Sequence, residues 1–167
     1  MTLAERGRGD SQDLPLTLVV NGRELSLAVE PHLTLLDLLR DRLALKGAKR
    51  SCDLQVCGAC TVLVDGRAVS SCTFLAYEAG GASVLTIEGM ADGDRLHPLQ
   101  QSFIDNGALQ CGFCTPGMIL SAKALLDEIP RPTEDQVKEY MKGNICRCTG
   151  YKKIAEAVLA AAGAPAG

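Results

Sequence analysis

Eight cysteines limit what this chain can fold into more than any other feature, and they fall into two sets of four with unlike spacings. Cys52, Cys57 and Cys60 follow the pattern C-x4-C-x2-C, and Cys72 comes after eleven intervening residues. Cys111 and Cys114 make a C-x2-C, and Cys146 and Cys148 make a C-x-C, with thirty-one residues between the two pairs. The opening residues lack an apolar stretch behind a basic one and lack paired arginines, so a secretory signal is not expected. A cytoplasmic setting follows as the expectation, and there eight thiols are metal ligands sooner than structural disulfides.

The first set has the plant-type spacing for a 2Fe–2S cluster. A tight loop must aim several thiolates and many backbone N–H groups at one anionic centre. Gly58 suits it, because glycine lets the backbone approach closely. Cys72 would arrive from the end of the following hairpin. Zinc is the alternative, but zinc knuckles are shorter, come in pairs and often use histidine. His32 and His97 are distant in sequence and read as ordinary polar residues, which also disfavours a Rieske centre. The second set is a four-thiolate metal site whose spacing alone leaves iron–sulfur, zinc and copper(I) open. A thioredoxin-type dithiol would need a βαβ setting that the sequence does not offer.

The 167 residues suffice for one ordinary domain or two small ones, and 47% hydrophobic against 22% charged residues is a globular balance. With no Trp, three Phe and three Tyr, the core is poor in aromatics, so metal would help the fold hold. A net charge of -3 without basic clusters argues against nucleic acid. No apolar run reaches the roughly 20 residues that a membrane span needs.

Periodicity divides the chain. Strands are expected at 16–20 and 23–29 around Asn21-Gly22, and at 61–64 and 67–72 around Asp65-Gly66. A further strand is expected within 82–87. Thr34 caps a helix with Leu35, Leu36, Leu39 and Leu43 inward. After residue 88 the pattern turns helical: 98–105, 116–128, a helix from the Thr133/Gln136 capping box to Lys142 with Gly143 ending it, and 150–162. The expected layout is a mobile tail at 1–14, a mixed sheet with one helix at 15–88, a helical domain at 89–162 and a frayed end at 163–167. Lys46, Lys49 and Arg50 read as a solvated loop in preference to a partner-docking contact, Met118 as core, and Arg147 equally as a charge balance for a cluster or a solvent-facing residue.

Three segments carry a family resemblance: Cys52-Asp-Leu-Gln-Val-Cys57-Gly-Ala-Cys60-Thr-Val-Leu-Val-Asp-Gly66, Gln110-Cys-Gly-Phe-Cys-Thr-Pro-Gly-Met118, and Gly143-Asn-Ile-Cys-Arg-Cys-Thr-Gly-Tyr151. Together they resemble the small iron–sulfur subunit of the molybdenum hydroxylases, the xanthine oxidase family. The resemblance spans about residues 16–162. It implies an α+β chain: a β-grasp plant-type ferredoxin domain, then a four-helix bundle with a second 2Fe–2S cluster. It implies a flavin-proximal cluster on Cys52, Cys57, Cys60 and Cys72, and a molybdenum-proximal one on Cys111, Cys114, Cys146 and Cys148. Gln110 and Cys148 would lie beside the molybdopterin (cytosine dinucleotide) of a large subunit, and FAD would sit on a medium subunit, usually in a dimer of heterotrimers. The implied task is electron transfer, without a substrate site on this chain. Ser51 departs from the glycine common before the first ligand. A free-standing ferredoxin carrier and a zinc-stabilised interaction module are the competing readings.

Overall fold

A computed structural model describes residues 13–163, so of the tails expected at 1–14 and 163–167 all but residues 13, 14 and 163 lie outside the described residues. Strands β1 (Leu14–Val20) and β2 (Arg23–Val29) form a full antiparallel hairpin, from Leu14 opposite Val29 to Val20 opposite Arg23. Its turn takes φ of 51° at Asn21 and 79° at Gly22, the left-handed pair that a tight hairpin needs. The second hairpin, β3 (Thr61–Val64) and β4 (Arg67–Ser70), repeats this with 47° at Asp65 and 79° at Gly66. β4 stops two residues short of the expected end at Cys72.

Strand β5 (Ser83–Leu85) joins the hairpins into one sheet of order β2-β1-β5-β3-β4. It runs parallel to β1 (Val19 opposite Ser83) and antiparallel to β3 (Leu63 opposite Leu85). Helix α1 (Leu35–Asp37) starts at Thr34, whose Oγ1 accepts from the Asp37 amide at 3.1 Å. At Leu38–Arg42 it widens to a π turn, in which the Leu43 amide donates to the Leu38 carbonyl at 3.0 Å. Leu35, Leu36, Leu38 and Leu39 are fully buried against Leu16, Leu18 and Val20, whereas the expected inward Leu43 is half-buried.

Four helices follow: α2 (Pro98–Asp105), α3 (Thr115–Glu128), α4 (Glu134–Met141) and α5 (Lys152–Ala161). They pack α2 on α3, α3 on α4, α4 on α5 and α5 on α2. Their core includes Phe103, Met118, Leu125, Val137, Ile154 and Val158. The Thr133/Gln136 capping box opens α4. α4 ends at Met141, and Gly143 lacks the left-handed φ of the expected cap; Gly150 and Tyr151 carry it instead, at 65° and 68°, before α5.

β3 ties the two halves together. Successive strand residues face opposite sides, so Val62 enters the core under α1 while Leu63 enters the helical core beside α3. Cys60 immediately precedes β3 and Cys114 immediately precedes α3, so this packing brings the two cysteine regions to one place.

Candidate metal centres

The loop before β3 is shaped to turn amides toward sulfur. Asp53, Gln55 and Gly58 all adopt left-handed φ, at 53°, 58° and 68°. For Asp53 and Gln55 this costs about 1–2 kcal/mol each. The return is a set of N–H groups around Cys52: the Leu54 amide donates to its Sγ at 3.4 Å. That bond, then the amides of Val56 and Cys57, lower the Cys52 thiol to about 6. Cys60 sits deeper, and burial pushes its thiol up to about 11. The lowered value favours thiolate for binding, and the raised one shows a buried sulfur that needs a positive partner.

Cys57 stands beside Cys52, and Cys72, just past β4, stands beside Cys60. The second set is built alike. Cys148 Sγ lies 3.6 Å from Cys111 Sγ, both exposed, and Cys114 adjoins Cys146 further in. Burial pushes Cys114 up to about 12. Burial also raises Cys146, but bonds from Thr149 and the Cys148 amide outweigh it and leave this thiol lowered. Thr149 donates to Cys146 Sγ twice, from Oγ1 at 3.0 Å and from its amide at 3.4 Å. The Cys146 amide donates to the Tyr151 hydroxyl at 3.1 Å, which holds the loop against the start of α5.

Among the described residues, no three His, Cys, Asp or Glu side chains converge on a single ion position. Within each set the thiols are in contact as 52 with 57, 60 with 72, 111 with 148 and 114 with 146, and the pairs of a set also lie near each other, Cys57 to Cys60, Cys111 to Cys114 and Cys146 to Cys148. A tetrahedral zinc wants four sulfurs about one point. Four thiolates in each set, with amide and hydroxyl donors around them, suit the anionic sulfur-rich environment of a 2Fe–2S cluster. The donor sets therefore fit 2Fe–2S clusters.

A cleft of about 210 Å³ is lined by residues of both sets, including Cys57, Cys111, Cys146 and Cys148, together with Ser51 and Arg147. Arg147 is exposed at its rim, and Gln110 is exposed beside Cys111. The other singled-out residues take ordinary roles. His97 caps α2, its Nδ1 accepting from the Leu99 amide at 3.2 Å, and His32 is exposed. Met118 is core. Lys46 pairs with Asp41 of the π turn, and Arg50 with Asp37 of α1 and with its loop neighbour Asp53. The motif from Gly143 to Tyr151 contains Asn144, Thr149 and Tyr151, but sequence reasoning assigned none of them a role, neither Thr149 and Tyr151 as partners of Cys146 nor Asn144 as a buried joint. Hydroxyls within three residues of a cysteine are the signal that marks Thr149.

The fold and the paired thiols define a two-domain iron–sulfur protein. Residues 18–96 match a 2Fe-2S iron-sulfur cluster binding domain, and residues 86–159 match a second [2Fe-2S] binding domain. The chain is 48% identical over 145 residues to the nicotinate dehydrogenase small FeS subunit of Eubacterium barkeri, covering 87% of this chain and 92% of that one. It is 49% identical over 153 residues to the nicotine 6-hydroxylase small subunit of Paenarthrobacter nicotinovorans, covering 92% of each. Among solved structures, quinoline 2-oxidoreductase from Pseudomonas putida 86 matches with a TM-score of 0.87 and 45% identity, over 91% of this chain and 95% of that chain. This chain belongs to the small iron–sulfur subunits of the molybdenum hydroxylase family. It is a non-catalytic electron-transfer subunit of an oxidoreductase and carries 2Fe–2S clusters. Among the described residues, no helix is long and apolar enough to cross a membrane.

Proposed function

We propose that Cys52, Cys57, Cys60 and Cys72 hold one 2Fe–2S cluster and Cys111, Cys114, Cys146 and Cys148 the other, so that the chain relays electrons from a molybdopterin site to FAD. When bound, each cluster supplies a one-electron carrier. The protein's own part is to position the thiolates, to stabilise their charge with the amides of Leu54, Val56 and Cys57 and the hydroxyl of Thr149, and to keep Cys60, Cys72 and Cys146 away from water. The grouping of four thiols in each set, with amide and hydroxyl donors around them, carries this reading.

The domains divide near residues 88 and 89 into a β-grasp ferredoxin unit and a four-helix bundle. Exposed Gln110 and Cys148 face the molybdopterin cytosine dinucleotide of a large subunit, and the first set faces a medium FAD subunit. The assembly is a cytoplasmic dimer of heterotrimers. Ser51, at the cleft between the sets, tunes the surroundings of the first cluster. The chain's relatives are named as parts of a nicotinate dehydrogenase, a nicotine 6-hydroxylase and a quinoline 2-oxidoreductase, and selection among substrates belongs to another chain.

Metal analysis of the complex purified natively through this chain tests the proposal. Two irons from each domain together with molybdenum are expected. Iron without molybdenum would make the chain a free-standing carrier, and zinc in place of iron under anaerobic handling would overturn the cluster assignment.

A further inference from the structure

The two ligand loops meet at a buried polar joint. The Ile145 amide donates to the Cys57 carbonyl at 2.9 Å. Beside it Asn144 is 7% exposed, and each polar atom of its side chain is engaged. Its Nδ2 donates to the Gly58 carbonyl at 3.1 Å and to Thr61 Oγ1 at 3.3 Å, and its Oδ1 accepts from Ser121 at 2.8 Å. These partners come from three segments: the first ligand loop, the start of β3 and the middle of α3.

The joint has no spare room. A Cβ on Gly58 would stand 2.5 Å from Asn144 Nδ2 and 2.6 Å from the Gly143 carbonyl oxygen. A Cβ on Gly117 would stand 2.3 Å from the Gly58 carbonyl oxygen. Glycines at both positions let three stretches of backbone close on one peptide. Thr61 adds to the same carbonyl, donating from Oγ1 at 2.7 Å and from its amide at 3.1 Å.

A buried, fully bonded asparagine also describes ordinary structural glue. Its location says more. Gly58 lies between Cys57 and Cys60, and Asn144 lies two residues before Cys146. From Cys57 Sγ to Cys146 Sγ the path runs through covalent bonds and a single hydrogen bond, that of the Cys57 carbonyl with the Ile145 amide. Movement at Asn144 therefore shifts one ligand set against the other.

We propose that Asn144 is a positioning residue that fixes the spacing and mutual orientation of the two cysteine sets and keeps the Cys57–Ile145 hydrogen bond closed between them. This rests on the ligand assignment proposed above and goes beyond it: the two sites form one rigid unit, tied by an amide that is not itself a ligand.

The test uses the intact complex with N144D. Aspartate keeps the shape and the acceptor for Ser121, but sets carboxylate oxygen against the Gly58 carbonyl. Iron per chain is measured first, then the spin–spin splitting between the two reduced clusters by electron paramagnetic resonance. In fully loaded N144D the splitting should change, and electron passage between the sets should slow by about tenfold or more, as for other groups supporting metal ligands. A role in stability alone would leave the splitting of loaded molecules unmoved. If N144D does not load, S121A decides the matter, since it frees the same amide to turn; a smaller change of splitting is expected. Wild-type splitting in loaded N144D, or in S121A where N144D does not load, overturns the proposal. A wild-type chain lacking iron in either domain removes the ligand assignment instead, and this inference with it.

Discussion

Replacing Gly117 by alanine isolates the contact that holds the helical half against the first cysteine loop. Gly117 is buried in the first turn of α3, three residues after Cys114. An alanine Cβ would stand 2.3 Å from the Gly58 carbonyl oxygen and 3.3 Å from its carbon. An ordinary carbon–oxygen contact is about 3.3 Å, so α3 and the loop must separate by about 1 Å. The obstacle is backbone, already fixed by bonds from Thr61 and Asn144, so no side chain can swing aside. Overpacking of this kind costs about 1–3 kcal/mol. Alanine returns up to about 1 kcal/mol through helix propensity. The steric cost wins, for a net loss of up to about 2 kcal/mol. Thermal unfolding of the holoprotein, followed by loss of cluster absorbance, should show G117A several degrees below wild type. G143A is the control: a Cβ there meets nothing within 4 Å, and its transition should stay near wild type. A G117A midpoint equal to or above wild type would refute the tight junction.

Three other outcomes are expected. T149V removes the hydroxyl bond to Cys146 Sγ; a hydrogen bond worth about 1 kcal/mol more to the reduced state corresponds to on the order of 40 mV, so the second potential should fall by that amount in a redox titration. C111S should halve the iron per chain while the plant-type signal of the first set persists; full iron with normal turnover would contradict the second ligand set. In the metal-free chain, mass spectrometry across a pH series should find Cys52 alkylated half-maximally near pH 6, with Cys60 and Cys114, at about 11 and 12, slow throughout. The sign follows from a folded value below the ordinary 9.0. The thiolate's contribution to stability is present above pH 9 and is lost as pH falls through 6. Half-maximal labelling of Cys52 near pH 9 would show that the loop amides do not act on it.

Much of the fold was legible wherever the cause is local. Asn21-Gly22 and Asp65-Gly66 announce their hairpins because φ > 0 is needed at both turn positions. The Thr133/Gln136 box announces α4 because a helix start leaves unpaired amides that those side chains meet. The helix after Thr34 was legible only in part. Leucine spacing marks its buried face, but the same spacing serves i−4 and i−5 bonds alike, so the π turn at Leu38–Arg42 was not visible. Likewise, residues 82–87 read as a strand without a place in the sheet. β5 owes its central position to neighbours sixty-four residues before it, at Val19, and twenty-two before, at Leu63.

The sequence by itself determined the chemistry: eight thiols, in two spacings, with a family resemblance that the relatives bear out. The cysteine loops are short and their glycines and cysteines act over a few residues, so they are written along the chain. The tertiary structure decided how the thiols pair and how the two sets meet. Cys114 and Cys146 come together because α3 and α4 pack and bring the chain back. Cys57 meets Ile145 across eighty-eight residues, because β3 sends Val62 into one core and Leu63 into the other. Such contacts depend on summed burial over both domains, which no local pattern records.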